Sequence, residues 1–131
     1  MTKSNSRPIS PHLSIYKPQI SSVLSIMHRI TGIILFVGIF GLAWFVILLL
    51  NENIGFYLID LDLIAIVNSW WFKGVLLGIL FCLYYHLLNG VRHLIWDIGF
   101  GFELSVMRKT GWFVVLCTIF MTMFTLYLML S

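Results

Sequence analysis

The chain has 131 residues, 60% of them apolar and 10% charged, and its mean hydropathy is +1.01. A soluble domain carries about 25% charged residues, so a chain this small cannot cover its apolar surface in water, and lipid is its natural solvent. The formal net charge is +3, but the eight basic residues form no run, which argues against a nucleic-acid footprint.

Residues 1–22 contain all three prolines, Pro8, Pro11 and Pro18. Each fixes φ and removes a backbone donor, which predicts an extended arm rather than a long helix. Lys3, Arg7 and Lys17 keep that arm at the lipid surface or in water. The arm has no apolar h-region, so no cleavable signal peptide is expected.

Residues 23–131 read as a three-helix transmembrane region, with spans over about 23–50, 70–96 and 111–130. From Ile30 to Leu50 no charge occurs, and a helix of about 20 residues crosses the hydrocarbon. Ser21, Ser22 and Ser25 offer caps, so this helix is expected to begin near Ser22. An acidic loop with Glu52, Asp60 and Asp62 follows, in which 58–67 is a candidate interfacial helix. In the second span Lys73 can snorkel at the start, and Trp70, Trp71 and Trp96 mark the ends as an aromatic belt does. A loop over 97–110 leads to an uncharged third span, for which packing and lipid contact are expected. Cys82 and Cys117 lie in apolar segments and read as packing residues.

The fold class is therefore all-α, a membrane protein with three transmembrane helices. Lys3, Arg7, Lys17, Arg29, Arg92, Arg108 and Lys109 fall on one side, and only Lys73 on the other. The positive-inside rule then makes the N-terminus cytoplasmic, or matrix-facing, and the C-terminus external.

His86 is the most informative residue. It stands 11 positions before Asp97, roughly 16 Å from the cytoplasmic end of its helix. An imidazole at that depth is costly without a partner. The partner could be a neighbouring helix, or a metal or haem iron. His86, Gly90, His93 and Asp97 recur at helical spacing and share a face. Gly90 leaves a gap suited to a flat macrocycle, or to close helix packing. Arg92 and His93 lie at a depth suited to haem propionates, or to interfacial snorkelling.

Ser25, His28, Arg29 and Gly32 form a second group on one face near the cytoplasmic boundary. A hydroxyl and a guanidinium there can bind the carbonyl oxygens of a quinone. They can equally be a helix cap and a positive-inside anchor. His28 is expected to be too shallow to oppose His86 across a haem. His93 shares the helix of His86, and His12 is in the arm. A bis-histidine haem would therefore take its other axial ligand from another chain.

At these residues the sequence resembles the cytochrome b556 membrane-anchor subunits of succinate dehydrogenase. RPISPHLSIYKPQISSVLSIMHRITG is similar to their N-terminal signature, and His86, Gly90, Arg92, His93 and Asp97 match their second signature. The resemblance implies a bundle completed by a second anchor subunit. It implies that His86 ligates the iron of one haem b, shared with that subunit. It implies a ubiquinone site lined by Ser25 and Arg29, and haem-propionate contacts from His28, Arg29 and His93. The implied partners are the second anchor, the iron–sulfur subunit and the flavoprotein subunit, in a bacterial inner membrane or, alternatively, the mitochondrial one. Succinate oxidation would lie on the other subunits. This chain has no Gly-rich dinucleotide motif and no Cys cluster. Within the implied site, Arg29 would stabilise negative charge developing on a quinone oxygen. Two rivals remain at this stage: the anchor of another quinone-linked oxidoreductase such as fumarate reductase, and a haem-free membrane protein with a proton relay through His86, His93 and Asp97.

Overall fold

A computed structural model describes residues 17–51 and 63–130. Helix α1 runs Ile20–Leu50, α2 Leu63–Asn68, α3 Trp70–Asp97 and α4 Leu104–Leu130. Among the described residues α1, α3 and α4 are each long and apolar enough to cross a membrane. The protein is a multi-pass, all-α membrane protein.

The helices cover more chain than the uncharged stretches alone suggest. Helix α1 starts at Ile20, before the expected caps, and Gln19 occupies the N-cap position without a side-chain cap bond. Helix α4 starts at Leu104, so Arg108, Lys109 and Thr110 are helical rather than loop. Of the candidate helix over 58–67, residues 63–67 are helical within α2, and 58–62 lie outside the described residues, as do residues 1–16 of the arm.

The turn between α3 and α4 is set by two glycines with positive φ, Gly99 at +96° and Gly101 at +82°. The Gly99 amide donates to the Trp96 carbonyl, and the Phe100 amide to the Ile95 carbonyl. This is a Schellman stop, in which the residue after the cap must be left-handed and glycine adopts that conformation without a Cβ clash.

Helix α3 is the centre of the assembly, packed against both α1 and α4, while α1 and α4 touch each other less. Its buried residues are Cys82, Tyr85, Asn89 and Arg92, at spacings of three and four that define one face. Helix α4 answers with Gly111, Val114, Thr118 and Thr122. The α4 side chains at this seam are small, which lets membrane helices approach closely. Thr118 and Thr122 donate their hydroxyls to the carbonyls four residues back, Val114 and Thr118, each at 2.8 Å. A threonine that satisfies itself on its own helix can be buried without a partner on another. Among the described residues the buried hydrophobic cluster is small, made of Leu24, Tyr85 and Val114. Most large apolar residues, including Phe36, Phe40, Phe120 and Phe124, face outward, an arrangement that lipid or apposed helices satisfy and water does not.

Cys82 is buried and Cys117 half-buried, both as free thiols.

Candidate functional site

The site forms where α1 crosses α3. The rings of His28 and His86 stack with centroids 3.9 Å apart and planes within 9°. The two histidines are therefore at one level, and the expectation that His28 is too shallow to meet His86 is wrong. Its error was to start α1 too late, which set His28 too close to the helix end. With the start at Ile20, His28 is eight residues in, about 12 Å along the axis. Face-to-face stacking also leaves no room for a macrocycle between the two rings.

Glycines make the crossing possible. A Cβ at Gly32 would lie 2.9 Å from His86 Cε1, and one at Gly90 would lie 3.6 Å from His28 Cε1. Each helix contributes a glycine opposite the other helix's histidine. The gap at Gly90 is thus filled by His28, which corrects its reading as space for a macrocycle edge.

His86 Nδ1 is 3.1 Å from the His28 carbonyl oxygen and 3.4 Å from Thr31 Oγ1. A carbonyl only accepts, so Nδ1 carries the proton and donates, and the lone pair resides on Nε2. Thr31 is buried. Its hydroxyl is within bonding distance of the Met27 and His28 carbonyls, at 2.9 and 3.0 Å. The Nδ1 of His28 is buried with no hydrogen-bond partner among the described residues. His93 stands 5.3 Å from the His28 ring, and Trp96 meets His93 edge-on at 5.0 Å. The three histidines therefore form one row. Ser25 is half-buried, Arg29 is exposed, and Asp97 is exposed at the end of α3.

Arg92 behaves differently from its expected role. It is 4% exposed, neither snorkelling nor free to meet a propionate. Its Nε donates to Thr110 Oγ1 at 3.1 Å, Nη2 to the Met107 carbonyl at 2.9 Å and Nη1 to Asn89 Oδ1 at 3.3 Å. Its guanidinium lies 4.1 Å from the Trp96 ring centroid. Trp96 is thus a partner to a buried cation, and not simply a belt residue. A buried guanidinium is tolerable in a membrane helix when its donors are met by protein acceptors and a π face.

Tyr85, Asn89 and Thr110 were not singled out by sequence. Tyr85 donates its hydroxyl to the Leu24 carbonyl at 2.7 Å, and Asn89 Nδ2 donates to the same oxygen at 3.4 Å. Tyr84, beside Tyr85, bonds Thr125 of α4 at 2.9 Å. The available signal was spacing: Tyr85, Asn89 and Arg92 follow the 4 and 3 rhythm of a second face of α3.

Comparison with known proteins agrees with this architecture. The family model for the succinate dehydrogenase/fumarate reductase transmembrane subunit matches residues 3–125. The cytochrome b556 subunit of succinate dehydrogenase from Rickettsia felis is 47% identical over 119 residues, covering 91% of this chain and 90% of the relative. The Paracoccus denitrificans b556 subunit is 34% identical over 120 residues, covering 92% and 89%. The cytochrome b560 subunit from Marchantia polymorpha is 37% identical over 118 residues, covering 89% and 86%. On that extent of match, and with the spans the fold requires, the chain belongs to the succinate dehydrogenase/fumarate reductase transmembrane subunit family.

Proposed function

We propose that this chain is the cytochrome b anchor of succinate dehydrogenase, ligating haem b through His86 and forming part of a ubiquinone-reducing site with Ser25 and Arg29. The observation that carries the reading is the 3.1 Å contact between His86 Nδ1 and the His28 carbonyl, which assigns the proton to Nδ1. With Nδ1–H bound to a backbone carbonyl, the Nε2 lone pair is left for a metal, as in metal-binding histidines generally. The residues fit the group in a second way, since His28 Nδ1 is a buried polar atom still in need of a partner. A haem here supplies a one-electron carrier between the reducing subunits and the quinone pool. With its ring stacked 3.9 Å from that of His86, His28 leaves no room for a haem between the two and would not be the second ligand. This favours a second anchor subunit as its source, with the iron–sulfur and flavoprotein subunits completing the enzyme.

The chain's own residues then divide the work. His86 holds the metal, and the His28 carbonyl holds His86. His28, Arg29 and His93 are the donors for the haem propionates. Arg29, exposed on α1, stabilises negative charge developing on a quinone oxygen, and Ser25, one turn earlier, donates a hydrogen bond to a quinone carbonyl. The basic residues near the start of α1 and the α3–α4 turn support a cytoplasmic position for this end. A proton relay through His86, His93 and Asp97 is less well supported, because His86 Nδ1 is engaged by a backbone carbonyl and His93 meets the rings of His28 and Trp96.

The test is succinate-driven quinone reduction by the intact complex with Arg29→Ala or Ser25→Ala. Quinone reduction should fall while succinate oxidation by an artificial acceptor is retained. Unchanged quinone kinetics in both variants would remove the quinone assignment.

A further inference from the structure

We propose that Tyr85 and Asn89 are positioning residues for the quinone site, holding the Leu24–Ser25 peptide so that the Ser25 hydroxyl is presented to quinone. The inference rests on the assignment of Ser25 to that site.

The Leu24 carbonyl is the ordinary helical acceptor for the His28 amide. It also receives the Tyr85 hydroxyl at 2.7 Å and Asn89 Nδ2 at 3.4 Å, both from α3. A carbonyl oxygen has two lone pairs, so this one is fully committed. The peptide plane it belongs to carries the amide of Ser25. Fixing that plane from α3 fixes the root of the Ser25 side chain.

The clamp is itself held from behind. Arg92 Nη1 donates to Asn89 Oδ1, which orients the amide so that Nδ2, and not the oxygen, faces Leu24. Arg92 is anchored by Thr110 and the Met107 carbonyl of α4. Tyr85, Asn89 and Arg92 are 4%, 0% and 4% exposed, so water does not compete for these bonds, and removing a partner leaves a buried group unmet. The path from α4 to Ser25 is Thr110 and Met107, then Arg92, Asn89 and Leu24. Helix α4 thus acts on Ser25 through Arg92 and Asn89.

The measurement is the KM and kcat for ubiquinone of the assembled complex, normalised to succinate oxidation with an artificial acceptor. It is made for Tyr85→Phe, Asn89→Leu, Ser25→Ala and the double variants with Ser25→Ala. Tyr85→Phe removes a single oxygen and keeps the helix contact, so it remains informative if Asn89→Leu fails to assemble. Tyr85→Phe is expected to raise the quinone KM about five- to tenfold, the worth of one buried hydrogen bond. In the Ser25→Ala background the same change should move KM less than about twofold, because the group being positioned is already gone. A merely structural brace would give the same factor in both backgrounds, and that additivity overturns the proposal. So does an unchanged KM in Tyr85→Phe when Ser25→Ala raises it. If Ser25→Ala itself leaves KM unchanged, the quinone assignment of Ser25 has failed and the proposal falls with it, which is a distinct result.

Discussion

The carbonyl oxygen of His28 and Nδ1 of His86 lie 3.1 Å apart, so a backbone group of α1 decides which nitrogen of a histidine on α3 keeps its lone pair. The ring of the same His28 stacks on His86. One residue therefore sets both the tautomer and the plane of the candidate ligand. This ties the haem reading to the helix that carries Ser25 and Arg29.

His86→Leu should abolish the low-spin haem b spectrum of the complex. Dithionite-reduced spectra of membranes expressing the variant check it, and a normal α band there would remove His86 as the ligand.

Gly32→Ala should disturb the same spectrum without altering any polar group. The new methyl would start 2.9 Å from His86 Cε1, and the stacked, hydrogen-bonded ring has little freedom to yield. The overpacking should cost about 1–3 kcal/mol, read as a lower melting temperature together with a shifted or diminished haem signal. Gly41, at which a Cβ would meet no atom within 4 Å, is the control: Gly41→Ala should leave both readouts in place.

Arg92→Ala should be among the most damaging single changes in the chain. It leaves Asn89 Oδ1 without its Arg92 donor, takes one of several donors from the Met107 carbonyl and opens a void beside Trp96. A loss of about 2–5 kcal/mol is expected from the cavity left by a large buried side chain and the unmet Asn89 acceptor. Arg92→Lys keeps the charge but not the planar fork, and should fall between the two. Thermal unfolding of the purified complex ranks them.

Gly99→Ala should cost about 1–2 kcal/mol, since φ of +96° is unfavourable for a residue with a Cβ. Protease susceptibility of the α3–α4 turn is a direct readout, and Gly78→Ala, at an open position within α3, should show none of this effect.

Much of the architecture was legible in the sequence because each span carries its own signal. Twenty uncharged apolar residues cannot rest in water, and no contact with the rest of the chain is needed to say so. Two members of the histidine row were also readable, since His86 and His93 lie seven residues apart on one helix. Relations between helices were not readable. The depth of His28 depends on where α1 begins, and the expected serine caps misplaced that start. Arg92 illustrates the same limit, because a cation near a span end reads as snorkelling whether its side chain turns outward or inward.

By itself the sequence determined a membrane chain with three helices and a histidine too deep to lack a partner, because hydropathy and helical period are local properties. The tertiary structure alone decided that His28 stacks on His86, that glycines face histidines across the crossing, and that Arg92 points inward to Asn89, Thr110 and Met107. Those outcomes follow from the relative height and rotation of antiparallel helices, which are fixed by the fit of small residues and by buried hydrogen bonds between distant parts of the chain.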